Sequence, residues 1–331
     1  MVKTFQFSFI IFIIVGFFVI IVAAAPILSA QELYTPVAMW GSLGEGDGQF
    51  SGLNDVISTG QYVYVPDYEN HRIQMFAANG EFIKTWGTGG EEQGQFNKPH
   101  SMAFDSQGNV YVTDMNNHRI QKFDSQGKFI TMWGSEGEAD GQFLHPHGIG
   151  IDSQDNLYVT DAELLNVQKF DRNGVFITKW GSEGEADGQF AWLESVDTDS
   201  HDNVFVVDMN NDRVQKFTSD GQFISKWGTG GGANGEFRKP AGLTIDSSDN
   251  IYVTDQGNGR IQKFTSDGQF IAAWGTAGEG KGQFSEPEGI KVDNSGHVYV
   301  ADTGNNRVGV FVAQAASTNT PTIPTIATTD T

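Results

Sequence analysis

Short runs of alternating hydrophobic and polar residues fill the central part of the chain. Within residues 98–134, four such runs lie between turn segments: 99–104, 110–113, 119–123 and 129–133. Alternation with a period of two is typical of half-buried β-strands. The turn segments 105–108 and 124–127 each end in Gly, which suits a tight hairpin. The pattern therefore predicts a four-stranded antiparallel meander, whose strands we name a to d.

This unit is repeated along the chain. A Trp-Gly pair closes each unit with a spacing of 46 and then 47 residues, at Trp40, Trp86, Trp133, Trp180, Trp227 and Trp274. A period in the forties indicates a propeller or a helical array, and the alternating runs favour the propeller. The sixth unit has strands a to c, at 288–292, 298–301 and 307–312, whereas segment 37–40 has the pattern of an isolated strand d. We therefore predict an all-β, six-bladed β-propeller with four-stranded antiparallel blades, whose N-terminal strand closes the last blade.

The two ends of the chain do not share this pattern. Residues 1–30 contain one cation, Lys3, followed by an apolar run at 9–25. A run of this length fits either a cleaved signal peptide or a retained membrane anchor, and both interpretations stay open. Residues 31–312 form the predicted propeller, and residues 313–331, rich in Thr, Ser and Pro, form a predicted flexible tail. The expected location is extracytoplasmic, with the protein secreted or anchored at the cell surface.

Charge and composition exclude several functions. The chain of 331 residues has a formal net charge of −21 and contains no cysteine. Such an acidic surface repels phosphate backbones, so we expect no nucleic-acid binding. Without cysteine there is no disulfide, no thiol nucleophile and no cysteine-held zinc or iron–sulfur cluster.

Three segments at the b–c junctions carry a recognisable signature. Their sequences are DMNNHRIQKF at 114–123, DMNNDRVQKF at 208–217 and DTGNNRV at 302–308. These segments resemble the NHL-repeat family, whose members are six-bladed propellers used mainly as binding platforms. The resemblance implies two further branches. The peptidyl-hydroxyglycine amidating lyases hold a channel zinc through histidines, and the tripartite-motif NHL proteins bind RNA on a basic face, which this acidic chain lacks.

Most repeated polar residues have a structural interpretation. An Asp ends each strand b, and an Arg follows five residues later in every blade except the third. A turn Asp that bonds its own loop and an Arg that ties the blades together account for both. Because a binding site needs asymmetry, functional residues are expected where the repeats disagree.

The second residue of strand a is such a position. It varies around the predicted channel mouth as Asn54, His100, His147, Glu194, Ala241 and Glu288. We predict that its polar members bind a ligand there. Two imidazoles and a carboxylate, from His100, His147 and Glu194, suit Zn²⁺ or Fe²⁺ with open coordination positions. The alternative is a ring of solvated polar side chains that binds no metal.

A second irregularity is the b–c loop of the third blade, where Leu164 and Leu165 replace polar residues. This pair predicts a partner contact, with burial under a neighbouring loop as the alternative. The function that we expect is an exported, non-enzymatic platform that binds a protein, a glycan or a small ligand on its loop face. The alternative is a metal-dependent channel enzyme that resembles the amidating lyases, with His100 and His147 as metal ligands.

Overall fold

The computed structural model describes residues 14–15, 18–19 and 32–314. Near the N-terminus, β1 (Ile14–Val15) pairs with β2 (Phe18–Val19) in a separate two-stranded sheet. Among the described residues, no helix has the length and hydrophobicity needed to cross a membrane. Most of the predicted signal or anchor segment, and the predicted tail from residue 315 onward, lie outside the described residues.

Residues 32–314 form six four-stranded antiparallel sheets, which confirms the predicted six-bladed propeller. In order a to d, blade 1 consists of β4 (Ile57–Ser58), β5 (Tyr62–Asp67), β6 (Arg72–Ala77) and β7 (Phe82–Trp86), and blade 2 of β8 (Pro99–Phe104), β9 (Val110–Asp114), β10 (Arg119–Phe123) and β11 (Phe129–Trp133). Blade 3 consists of β12 (Pro146–Ile151), β13 (Leu157–Asp161), β14 (Asn166–Phe170) and β15 (Phe176–Trp180), and blade 4 of β16 (Leu193–Thr198), β17 (Val204–Asp208), β18 (Arg213–Phe217) and β19 (Phe223–Trp227). Blade 5 consists of β20 (Pro240–Ile245), β21 (Ile251–Asp255), β22 (Arg260–Phe264) and β23 (Phe270–Trp274), and blade 6 of β24 (Pro287–Val292), β25 (His297–Asp302), β26 (Arg307–Ala313) and β3 (Tyr34–Trp40). Single 3₁₀ turns occupy the b–c loops of blades 2, 4, 5 and 6, at Met115–Asn117, Met209–Asn211, Gln256–Asn258 and Thr303–Asn305.

The burial of each strand follows its place in the blade. Strands a of neighbouring blades contact one another around a central channel. Strands b are buried along their whole length in blades 2 to 5, and from their second residue onward in blades 1 and 6, because each blade packs against a neighbour on both faces. Strands d lie outermost, and those of blades 1 to 4 alternate between half-buried and exposed residues. Strand b therefore has a continuous apolar run, whereas strand d keeps the period of two.

The hydrophobic core consists of layers between adjacent blades. One layer joins Tyr111 and Ile120 of blade 2 to Phe143 and Phe170 of blade 3. The closing Trp of each blade also reaches the next blade. At Gly127, whose φ is +73°, an added Cβ would lie 2.6 Å from the ring of Trp86 in the preceding blade. The turn therefore needs Gly both for its left-handed backbone and for this close approach.

The repeated Asp and Arg residues form a structural network. In blade 2, Arg119 Nε donates to Asp114 Oδ2 at 2.7 Å, and its guanidinium also donates to the carbonyl oxygens of Glu92 and Gln95. Those carbonyls belong to the connector that enters the blade from its predecessor, so the fork holds this connector on the blade. In blade 3, which lacks the Arg, Asp161 accepts hydrogen bonds from the connector backbone at Leu144 and His145 and from its own loop at Glu163 and Leu164.

The N-terminal strand closes the ring as predicted, although it starts at Tyr34, three residues earlier than expected. β3 pairs with β26 from Tyr34↔Ala313 to Trp40↔Val308, so Ala313 belongs to the last strand and not to the tail. Tyr34 stacks on Trp274 of blade 5 with ring centroids 3.8 Å apart, and its hydroxyl lies 3.2 Å from that of Tyr252. Closure thus rests on a strand ladder within blade 6 and on an aromatic contact with blade 5.

Replacement of Tyr34 by Ala tests this closing contact. The variant loses the stacked ring and leaves a cavity between blades 5 and 6. We expect the free energy of unfolding to fall by about 3–5 kcal/mol in chemical denaturation. Val37→Ala, on the same strand at a side chain that is 53% exposed, is the control and should change it by less than about 0.5 kcal/mol. Equal losses for the two variants would contradict the closing role of Tyr34.

Candidate metal centre

The strands a carry an irregularity where the predicted site residues lie. In each of blades 2 to 6 the ladder between strands a and b shifts register over the first four residues of strand a, as between Pro99 and Met102. A bulge of this kind redirects side chains, and bulges are common beside active sites. His100, His147 and Glu194 all lie inside the shifted segments. The bulge therefore turns them out of the sheet toward the channel mouth.

These three side chains come together, although they come from three different blades. His147 Nδ1 lies 3.4 Å and His100 Nε2 lies 3.6 Å from the same atom, Glu194 Oε1. The two imidazole rings stack with centroids 4.2 Å apart. Each residue is less than 10% exposed. The three potential ligands lie at the same position of neighbouring blades, and the structure brings one ligand atom from each within 4.8 Å of the others.

The donor set and its spacing fit a transition-metal ion. Two ligand atoms that each bind one Zn²⁺ at about 2.0–2.2 Å are at most about 4.4 Å apart. Both distances to Glu194 Oε1 are already within that limit, and the widest separation, at most 4.8 Å, needs only a small rotation of an imidazole. His100 Nδ1 is buried and has no hydrogen-bond partner among the described residues. This is the nitrogen that does not face Glu194, so among these residues the ring has no outer partner of the kind that usually orients a metal-bound histidine.

Trp192 fixes the orientation of the carboxylate. Its indole Nε1 donates to Glu194 Oε2 at 2.9 Å, and its ring contacts His147 edge-on. Because Oε2 is held by the indole, Oε1 stays directed at the two histidines. His145 also stacks with His147, with ring centroids 5.7 Å apart. Trp192 and His145 thus support the ligands from behind, as outer partners of metal sites do.

The electrostatic environment sets the protonation states that a metal needs. Burial, together with the neighbouring His147, lowers the pKa of His100 to about 3, so its imidazole is neutral at pH 7. Burial alone would raise the pKa of Glu194, but its interactions with His147 and His100 and the hydrogen bond from Trp192 outweigh burial and lower that pKa to about 2. A neutral imidazole and an ionised carboxylate are the forms that bind metal ions.

The other predicted ring members surround a small space beside these ligands. A cavity of about 20 Å³ is lined by Asn54, Glu288 and Ala241 together with His100 and Glu194. This volume holds about one water molecule. Burial and the nearby Glu194 raise the pKa of Glu288 well above its usual range, and Gln256 donates a hydrogen bond to it at 3.2 Å. The structure therefore places all five predicted polar residues at one mouth.

The two leucines of the predicted partner contact are only partly exposed. Leu164 and Leu165 are both half-buried, and Leu165 packs against the core layer between blades 3 and 4. Leu165 adopts φ +54° at the end of the loop. A partner contact through these two residues stays a prediction.

Sequence reasoning missed three residues at the mouth: Tyr68, His145 and Trp192. The ring of Tyr68, in the b–c loop of blade 1, meets His100 edge-on with centroids 6.0 Å apart. His145 and Trp192 directly precede strand a, where other blades have Gly52, Lys98, Lys239 and Glu286. The residue before strand a also differs from blade to blade. A search for variable positions that included it would therefore have found His145 and Trp192.

Comparison with known proteins supports the fold. The model of the NHL repeat matches residues 96–123, 237–264 and 284–311, which lie in blades 2, 5 and 6. A search of curated proteins returned no match. With its six four-stranded blades, the chain is a six-bladed β-propeller, and three of its blades match the NHL repeat.

Solved structures with the same fold are distant in sequence. A Bacteroides thetaiotaomicron protein of unknown function is 18% identical, with a TM-score of 0.65 over 86% of this chain and 76% of that one. An auxiliary nutrient binding protein from the same organism is 14% identical, with a TM-score of 0.63 over 86% of this chain and 78% of that one. Virginiamycin B lyase from Staphylococcus aureus is 15% identical, with a TM-score of 0.57 over 85% of this chain and 98% of that one.

The low pKa of His100 predicts a pH dependence of stability for the metal-free protein. Since His100 is neutral in the fold down to about pH 3 but titrates near 6.5 when unfolded, the unfolded chain binds more protons between these values. Stability should therefore fall as pH decreases from 6.5 toward 3. His100→Gln should flatten this dependence in thermal melts, whereas His201→Gln, at a side chain that is 75% exposed, should not. Identical pH profiles for the two variants would contradict this environment for His100.

Proposed function

We propose that this propeller is an extracytoplasmic binding module that captures its ligand through a divalent metal ion at the channel mouth. His100, His147 and Glu194 would hold the ion, with Zn²⁺ or Fe²⁺ the metals that their donor atoms favour. The observation that carries the proposal is the convergence of three buried ligand atoms, from three blades, within 4.8 Å. With three protein side chains bound, the ion keeps open coordination positions for an oxygen or nitrogen atom of the captured molecule.

The surroundings of the mouth support a binding role. Tyr68 and Trp192 flank the three ligands with aromatic rings, which offer apolar contact area to a bound molecule. The enclosed space beside the metal ligands is only about 20 Å³. This space holds about one water molecule, so a bound molecule would reach the ion from outside and place only its coordinating atom in the mouth. The net charge of −21 disfavours nucleic acid as the ligand.

The position of the chain ends supports presentation at a surface. We call the face with the a–b and c–d turns the lower face, and the face with the metal ligands the upper face. β3 starts and β26 ends at the lower face, where Gln314 N donates to Leu33 O at 2.7 Å. The chain therefore enters and leaves the propeller on the face opposite the proposed metal ligands.

Metal titration tests the proposed centre. We expect metal-free protein to bind one Zn²⁺ in calorimetry and to melt at a higher temperature when it is bound, because the ion binds only the folded state. His100→Ala, His147→Ala and Glu194→Gln should each weaken binding by at least about 100-fold, and Trp192→Phe by about 10-fold. His201→Ala, on the lower face, is the control and should bind as the wild type does. Absence of Zn²⁺ and Fe²⁺ binding, or binding unaffected by the ligand variants, would refute the proposal.

A second candidate is a metal-dependent lyase similar to the peptidyl-hydroxyglycine amidating lyases. The observation that favours it is Tyr68, a group capable of acid–base chemistry whose ring contacts the candidate ligand His100. Structures with this fold include a protein named as a lyase, virginiamycin B lyase. The chain differs from the amidating-lyase pattern, since Glu194 takes the place of a third channel histidine.

An assay with a peptide that ends in α-hydroxyglycine separates the two candidates. Cleavage of its carbinol C–N bond gives the peptide amide and glyoxylate. If the lyase candidate is correct, the zinc-loaded protein releases glyoxylate, and Tyr68→Phe lowers kcat by about 100-fold or more without loss of bound zinc. Zinc binding without glyoxylate release would leave the binding module and reject this lyase.

A further inference from the structure

The outermost strand of each blade has an unpaired edge. Strand d stands at the end of every four-stranded sheet, so one row of its backbone N–H and C=O groups pairs with no strand among the described residues. An edge of this kind pairs with another extended chain unless a charged residue, a proline or a covering segment prevents it. Five of the six strands d have such a protection.

Four strands d are protected by their own sequence. Three contain a lysine and one contains a proline, at Lys84, Lys179, Lys226 and Pro36 in blades 1, 3, 4 and 6. Strand d of blade 5 contains neither, but Tyr34 stacks on its Trp274, and Ala272 in the same strand is fully buried. The segment that closes the ring therefore covers this fifth strand.

Strand d of blade 2, β11, has none of these protections. Its sequence, FITMW, contains no charged residue and no proline. Two of its side chains are apolar and exposed, Ile130 at 47% and Met132 at 38%. Met132 occupies the position that Lys179 and Lys226 have in blades 3 and 4. β11 is therefore an uncharged edge with apolar side chains on its exposed face.

A groove of about 550 Å³ lies at the C-terminal end of β11. Its lining includes Met132 together with Glu91 and Glu136, from the connectors that enter and leave blade 2. Both carboxylates are exposed, and neither has an ion-pair partner among the described residues. Arg119 also lines the groove, but its guanidinium is already bonded to Asp114 and to connector carbonyls. The groove therefore has unbalanced negative charge beside an apolar side chain.

Blades 3 and 4 show how the charge of a connector is balanced elsewhere. Lys179 Nζ lies 2.9 Å from Asp140 Oδ1 of the connector that enters blade 3, and Lys226 Nζ lies 2.8 Å from Asp187 Oδ1 in blade 4. In blade 2 this lysine is replaced by Met132. A bound chain that brings its own cation would therefore supply the charge that strand d supplies in the next two blades.

We propose that β11 binds an extended basic segment of a partner protein as a fifth strand of blade 2. Backbone pairing gives the affinity in strand addition, and alternate side chains give the specificity. A Lys or Arg opposite Met132 shares its face and reaches the groove, and an apolar residue two positions away lies opposite Ile130. This surface goes beyond the proposed metal-dependent function, because none of the proposed metal ligands lines the groove.

Two peptides of equal composition and charge test the pairing. In acetyl-TKTVTKT-amide the lysines and the valine share one face of a strand, whereas in acetyl-TKVKTTT-amide the valine faces away from both lysines. Fluorescence anisotropy of the dye-labelled peptides with the full-length protein should show roughly 3–10-fold tighter binding of the first peptide. A chelator is present at about 0.15 M salt, so the result does not depend on the metal proposal.

A variant of the strand tests the position of the contact. Met132→Lys restores the lysine of blades 3 and 4 and should weaken binding of the first peptide by at least about 10-fold, because it places a cation opposite the lysine of the peptide. Thr85→Lys, at the same strand position in blade 1, adds the same charge and should bind as the wild type does. Thermal melts check that both variants are folded.

A variant of the groove tests the charge. Glu91→Gln with Glu136→Gln should weaken binding of the first peptide by about 3–10-fold, the effect of two exposed ion pairs. Glu183→Gln with Glu185→Gln removes the same charge from the connector between blades 3 and 4 and should change binding by less than about 2-fold.

Equal affinities for the two peptides, or losses that do not depend on where the substitution is made, would overturn the proposal. The occupant can also be a second copy of the chain. A wild-type dimer in analytical ultracentrifugation that Met132→Lys converts to a monomer would assign β11 to that copy, and would equally overturn the proposal.

Discussion

Closure of the ring is the constraint on which the rest of the structure depends. Each blade buries both faces against its neighbours, so an incomplete last blade would expose an apolar layer and an unpaired strand edge. The chain meets this constraint by pairing its first propeller strand, β3, with its last, β26. Tyr34 extends the closure to blade 5 through its stack on Trp274. Because the ring is closed, the six strands a are held at fixed places around one channel.

The closed ring of similar blades is the scaffold, and the positions that differ between blades form the candidate sites. The Asp–Arg–connector network recurs in five of the six blades, as the bonds of Arg119, Arg213 and Arg307 show. The channel-lining positions of strand a do not repeat in this way. At its second position, imidazole and carboxylate groups meet at the upper mouth, and at its fifth, the ammonium of Lys291 and the carboxylate of Asp197 meet further down the channel. One scaffold thus carries two chemically different environments at the two ends of one channel.

The fold could be predicted from the sequence because the same strand pattern recurs in six units. The spacing of the Trp-Gly pairs gave the number of blades, and the missing last strand predicted closure by the N-terminal segment, both of which the structure confirms. The start of β3 was missed by three residues. Tyr34, Thr35 and Pro36 do not alternate clearly, and a bulge interrupts their ladder with β26. Pairing and aromatic stacking, rather than a local pattern, make this segment a strand.

The candidate site was predictable in part. Register alone placed His100, His147 and Glu194 on neighbouring strands, since equal units put equivalent residues at equal heights. The direction of their side chains depends on the bulge at the start of strand a, which no residue pattern announces. Trp192 and Tyr68 reach the site from connectors and loops, whose course is set by tertiary contacts. Such supporting residues become visible only when the geometry is known.

The central claim is that one ion can bind between these three side chains. Crystals of protein loaded with one equivalent of Zn²⁺, measured on both sides of the zinc absorption edge, test it directly. The account predicts one strong anomalous peak at about 2.0–2.2 Å from His100 Nε2, His147 Nδ1 and Glu194 Oε1. Loaded crystals with no peak at this position, or with zinc bound only by surface carboxylates, would contradict it.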